Sequence, residues 1–128
     1  MTPSAAERDQ IFKSFGRAWF KQDLDLMFQV VTADFVWTSP PGPNDAGPVR
    51  AQGREQIAAQ FARRNGLYEG VRFHDVAYHH AEDASFMTFR MTGTLKATGQ
   101  PFDTVGVERY TFRDGKLAVK DVYTRPAG

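Results

Sequence analysis

The chain has 128 residues, 41% hydrophobic and 24% charged, with 11 Phe, 4 Tyr and 2 Trp, a length that fits one domain with a sizeable core. Sixteen Lys and Arg against 15 Asp and Glu leave a formal charge of +1 and no block of like charge, which argues against a nucleic-acid surface or a polybasic membrane surface. There is no cysteine and no apolar run longer than three residues, which excludes disulfides, thiol nucleophiles, thiolate metal sites, a transmembrane helix and the apolar stretch of a secretory signal; the expectation is a cytoplasmic globular domain spanning residues 1–128.

Ser4-Ala5-Ala6-Glu7 matches a capping box, a hydroxyl followed three residues later by a carboxylate. Behind it Ile11, Phe12, Phe15, Trp19 and Phe20 recur at helical spacing, so a first helix is predicted from about Ala5 to Lys21. Asp23 reads as a second N-cap, with Leu24, Met27, Phe28 and Val31 carrying a second helix to about Ala33-Asp34. Phe35-Val36-Trp37-Thr38 is β-branched and aromatic and reads as a short strand. The segment from Ser39 to Gly53 holds four prolines and three glycines, which suits a loop and neither a helix nor a central strand. It follows the strand bearing Trp37, so it is expected to border the mouth of any hollow. A third helix starts near Arg54, with Ile57, Ala58 and Phe61 on one face and Asn65-Gly66 as its left-handed end.

From Val71 the period changes from 3.6 to 2. Over 85–97, Met87, Phe89, Met91, Gly93 and Leu95 share one face. Over 102–113, Phe102, Glu108, Tyr110 and Phe112 share another, and a last strand covers about 117–124 after the Asp114-Gly115 turn. Three helices followed by an antiparallel meander predict an α+β domain whose helices cover one face of the sheet. Internal Gly93 and Gly106 allow that sheet to curl around a hollow.

The first helix, Asp23-Leu24, Ala33-Asp34, Trp37-Thr38-Ser39-Pro40, Gly53-Arg54-Glu55-Gln56-Ile57 and the final hairpin resemble the nuclear transport factor 2 superfamily. Within it the chain is most similar to the SnoaL-like branch of polyketide cyclases and ketosteroid isomerases. The resemblance implies a cone, a strongly curved sheet wrapped around three helices with a deep apolar pocket at its open end, and relatives that are often dimers. It also assigns positions. The steroid-isomerase general base falls on Ser39, its oxyanion tyrosine on Phe15, and two supporting tyrosines on Val31 and Phe61. Only the second oxyanion acid has a counterpart, Glu108. A serine hydroxyl cannot remove a carbon-bound proton at neutral pH, so steroid isomerisation is not expected.

Glu108 and Tyr110 are the candidate catalytic residues. Glu108 lies on the strand face of Tyr110 and Phe112, which points it inward, and a buried carboxyl suits a general acid or an oxyanion donor. Lys120, on the same face as Ala118 and Val122, offers the competing reading, a structural Glu108–Lys120 ion pair. Candidate ligand-binding residues are Trp19 and Trp37 as walls, Phe15, Phe61, Phe89 and Met91 as apolar lining, and Ser39 and Lys120 as polar groups. Together the aromatics suggest a pocket for a flat or polycyclic molecule.

His79-His80-Ala81-Glu82-Asp83 has metal-binding residue types, but adjacent strand residues point to opposite faces, so a solvated polar turn and no metal is expected. His74 reads as a half-buried strand histidine. No cofactor motif is visible. Two functions follow. One is a cofactor-free isomerase, cyclase or lyase acting on a small apolar carbonyl compound; the other is a non-catalytic ligand-binding or dimerisation module. The expected partners are a small apolar molecule and a second copy of the chain, docked through an outer sheet face of Val105, Val107, Thr111, Thr88, Thr92 and Thr94; neither nucleic acid nor membrane is expected.

Overall fold

A computed structural model describes residues 2–128. Helix α1 (Ala5–Lys21) opens with the capping box: the Ser4 hydroxyl accepts from the Glu7 N–H, and the Glu7 carboxylate accepts from the Ser4 N–H. Its buried face is Arg8, Phe12, Phe15 and Ala18, flanked by Trp19. Phe20 lies off that face and is 70% exposed, contrary to its place in the apolar pattern. Asp23 caps α2 (Leu24–Met27) through the Leu26 N–H.

That helix is a single turn rather than the longer element expected. Val30, Val31 and Thr32 are β-branched, and the chain there is claimed by a strand partner: β1 (Val31–Ser39) already pairs at Val31 with Leu117. The supposed loop after Ser39 is also shorter than expected, because β2 (Val49–Gln52) pairs antiparallel with β1. Helix α3 (Gly53–Leu67) runs through Asn65-Gly66 and ends at Tyr68, so the sequence signal for a left-handed end there was wrong. Four long strands follow, β3 (Tyr68–His80), β4 (Ser85–Leu95), β5 (Pro101–Arg113) and β6 (Lys116–Pro126).

The six strands form one sheet in the order β2-β1-β6-β5-β4-β3. The meander is antiparallel as expected, but β1 and β6 pair in parallel, with Trp37 opposite Lys120. The strong curvature has a visible origin. Phe89 pairs across β4–β5 with Gly106, and Phe102 pairs with Gly93. A Cβ on Gly106 would lie 2.6 Å from the Phe89 ring, and one on Gly93 would lie 2.5 Å from the Phe102 ring. Each glycine therefore leaves room for an aromatic ring to lie across its strand on the concave side. In β3 the register shifts between His74 and Ala77, where Asp75 takes φ 55°, so Phe73 and Tyr78 both face inward despite their odd separation.

The core fills the concavity. Phe12 packs on Tyr78, Tyr110 and Phe112, and Phe15 packs edge-on against Phe35 and Tyr110. Arg8 closes the narrow end, donating to the carbonyls of Pro3, Ala81, Glu82 and Ala84 and to the Ser85 hydroxyl. Among the described residues no helix is long and apolar enough to cross a membrane.

Candidate functional site

At the wide end of the cone a cavity of about 310 Å³ opens between the sheet, α1, α3 and the segment after Ser39. Its wall contains Trp19, Trp37, Tyr68, Phe73, Phe89 and Phe102, with Met91, Leu95 and Val122 between them. Glu108 and Lys120 lie on its floor, and Arg64 enters from α3. The size is at the lower end of ligand cavities, roughly 300–1,000 Å³. A smaller space of about 70 Å³ lies on the other side of Glu108 and Lys120, lined by Phe15, Tyr78, Met87 and Tyr110.

Glu108 and Lys120 face one another from adjacent strands, with Lys120 Nζ 3.2 Å from Glu108 Oε1. The residues are 2% and 4% exposed. Tyr110, two residues along β5 and therefore on the same face, donates its hydroxyl to the same Oε1. The ion pair weighed against a functional Glu108 is thus present, and it changes the chemistry open to that residue. The Lys120 ammonium and the Tyr110 hydroxyl donor both face the Glu108 carboxyl group. Burial pulls the Lys120 ammonium below the ordinary lysine range, and the adjoining Glu108 partly restores it. Burial, then Glu108, pushes the Tyr110 phenol well above its ordinary value. Lys120 Nζ also sits 3.5 Å from the Trp19 ring centre, a close cation–π contact.

Trp19 and Trp37 meet edge to face at 4.5 Å and both line the cavity. Phe61 does not line it; the ring stands behind the two tryptophans, 4.7 Å from Trp19 and 5.2 Å from Trp37. Phe15 likewise backs Trp19, at 5.3 Å, and borders only the smaller space. Both are supports rather than lining, because the larger indoles lie between them and the hollow. Phe89 and Met91 are in the wall, as is Ser39, whose buried hydroxyl accepts from Gln60 Nε2 at 3.2 Å. The indole Nε1 of Trp37 is buried without a hydrogen-bond partner, an unpaired donor of the kind that binding sites retain.

Residues missed in the sequence include Arg64, Tyr68, Phe73 and Phe102. Arg64 was legible: it follows Ile57 and Phe61 by seven and three residues, on the buried stripe of α3. The proline-rich segment does border the cavity, through Pro40, Pro41, Gly42 and Pro43. Asp45 ties it down, accepting from the Gly42 N–H at 2.8 Å and from Arg63 at 2.5 Å. Arg63 lowers the Asp45 carboxyl below its ordinary value. Far from the cavity, His80 bridges Ser85 and Asp9, and His74 contacts Thr92. Among the described residues no group of three or more His, Asp and Glu is arranged to hold a metal ion.

A curved sheet over three helices with a cavity at its open end is the architecture of the nuclear transport factor 2-like proteins. A family model for the SnoaL-like domain matches residues 12–120, and the chain belongs to that family. Its fold is similar to that of a nuclear transport factor 2-like protein from Burkholderia xenovorans, with a TM-score of 0.82 and 22% identity over 95% of this chain and 92% of that one. It is also similar to a polyketide cyclase candidate from Xanthomonas campestris, with a TM-score of 0.73 and 19% identity over 92% and 90%. A third likeness is to TerC co-crystallised with polyporic acid, with a TM-score of 0.76 and 16% identity over 93% and 92%. No curated protein matches the sequence.

Proposed function

We propose that this chain binds a flat, largely apolar carbonyl compound in the cavity and moves a proton on it without a cofactor, as an isomerase or cyclase does. The observation that carries the reading is the buried Glu108–Lys120 pair on the floor of an aromatic-walled cavity. The Glu108 carboxylate takes a proton from the carbon next to the carbonyl. The electron pair left behind moves onto the carbonyl oxygen, and the Lys120 ammonium stabilises that enolate. Return of the proton to a different carbon, or attack of the enolate carbon on a second carbonyl, completes isomerisation or cyclisation. The co-crystallised acid of TerC and the cyclase candidate among the structural neighbours support a small-molecule role.

Acetonaphthone in deuterated buffer tests this. Wild type should exchange its α-hydrogens for deuterium faster than buffer does, read by proton NMR. The Glu108→Gln/Lys120→Met variant, which removes both charges together, should bind the ketone and lose the exchange. Binding with no exchange above buffer in wild type favours the non-catalytic ligand-binding module.

The chain is further proposed to pair with a second copy through the convex sheet face. Val105, Val107 and Thr111 are half-buried there, and Tyr123 is 56% exposed beside them. The face carries more charge than expected, but in matched partners: Arg90 is paired with Asp103, and Arg109 lies opposite Asp121. Matched charges suit a surface that must meet its own copy. Light scattering should give a dimer mass, and Val107→Asp a monomer.

A further inference from the structure

Three charged side chains reach the cavity, and two of them cancel. Glu108 and Lys120 neutralise each other on the floor, which leaves the Arg64 guanidinium as an uncompensated positive charge in the wall. Its neighbour Arg63 is occupied by Asp45. Arg64 itself makes no ion pair and no side-chain hydrogen bond among the described residues. The guanidinium lies instead against two aromatic rings, 5.2 Å from the Tyr68 centre and 5.6 Å from the Trp37 centre. Such stacking fixes the plane of the group and leaves its five N–H donors unused at the edge. A cation partly withdrawn from water with no anion beside it is costly, and an arriving oxyanion removes that cost. Burial already depresses its pKa, with Tyr68 and then Glu108 opposing.

We infer that Arg64 is the anion-recognition residue of this cavity and that the ligand carries a carboxylate on its flat apolar skeleton. This rests on the cavity being the ligand site, as proposed above. It adds the ligand's charge and its direction of entry. The carboxylate stays at the α3 wall while the ring system lies between Trp19, Trp37 and Phe89, with its far end over Glu108. The planar guanidinium fork suits the two oxygens of a carboxylate better than a point charge would.

Naphthoate and naphthamide have nearly the same shape and differ in charge, so they separate the two ideas. Calorimetry gives affinity, and the indole N–H signals of Trp19 and Trp37, the chain's 2 tryptophans, report by NMR that binding is in the cavity. Wild type should bind naphthoate at least about tenfold more tightly than naphthamide. Arg64→Met keeps the apolar stem and should bring the ratio to about one, whereas Arg64→Lys should keep part of the preference. Glu108→Gln/Lys120→Met should keep all of it. A preference that survives Arg64→Met, or disappears with the Lys120 change, overturns the assignment to Arg64. Equal binding of both compounds by wild type defeats this inference alone, while binding of neither defeats the cavity reading and this one with it.

Discussion

Two arginines, one at each end of the cone, show how the same side chain serves two purposes. Arg8 and Arg64 both lie against aromatic rings, Arg8 5.0 Å from the Phe112 centre and Arg64 5.2 Å from that of Tyr68. At the narrow end every donor-bearing nitrogen of Arg8 is engaged, four of its five bonds going to backbone carbonyls of the amino-terminal segment and of the β3–β4 turn. At the wide end Arg64 has rings for neighbours and, among the described residues, no side-chain hydrogen bond. A satisfied guanidinium holds structure together, and an unsatisfied one in a cavity wall waits for a ligand. Between them, Glu108 and Lys120 are charged and buried like Arg8 yet open to the cavity like Arg64.

That intermediate case gives the largest expected effect. Lys120→Met leaves a buried carboxylate without its cation and should cost about 3–5 kcal/mol in a urea titration, with Glu108→Gln costing a similar amount for the opposite reason. The double variant should recover much of the loss, and the cycle measures the coupling directly. Additive losses would mean that the two groups are independently solvated.

Arg8→Met comes next. It strands the carbonyls of Pro3 and of the β3–β4 turn, and the loss of charge-assisted bonds should lower stability by about 2–3 kcal/mol. Arg64→Met should change stability by less than about 1 kcal/mol, since it breaks no hydrogen bond. Equal costs at the two arginines would erase the contrast between them.

Alkaline pH sharpens the contrast within the buried trio. The Tyr110 pKa is raised in the folded state above the ordinary 10.0, so its contribution to stability is intact below pH 10.0 and is lost as pH climbs toward the folded value. Lys120 runs the other way. Its folded pKa lies below the ordinary 10.5, so the unfolded chain binds the extra proton and stability rises with pH until about 10.5. Thermal melts from about pH 8 to about pH 12 should therefore pass through a maximum. Tyr110→Phe should move the falling limb to higher pH, and Lys120→Met should flatten the rising one.

Much of the fold was legible because its signals are local. The Ser4–Glu7 cap, the period-2 faces of β4 and β5 and the Asp114-Gly115 turn are each readable within a few residues. The inward direction of Glu108 followed from Tyr110 alone. What escaped was decided by distant partners. Val31 leaves a helical pattern for a strand because Leu117 pairs with it, and β2 exists because β1 offers an edge. Phe15 and Phe61 carry the right chemistry for a cavity wall, but their distance from the hollow depends on where the two indoles pack. Asp75 inverts the faces of β3 by adopting a left-handed backbone that no glycine announces.

The parallel pairing of β1 with β6 has a consequence for the order of assembly. β6 joins the two halves of the sheet, with β1 on one side and β5 on the other, yet it follows both of them in sequence. Without β6 the β3–β5 meander would carry Glu108 on its concave face without Lys120 beside it. Burying a lone carboxylate is unfavourable, which holds that face open to water. Arrival of β6 delivers Lys120 and the bridge to β1 in one step, so the sheet and its ionic floor close together. The same ion pair that borders the cavity thereby ties the neutralisation of Glu108 to completion of the sheet.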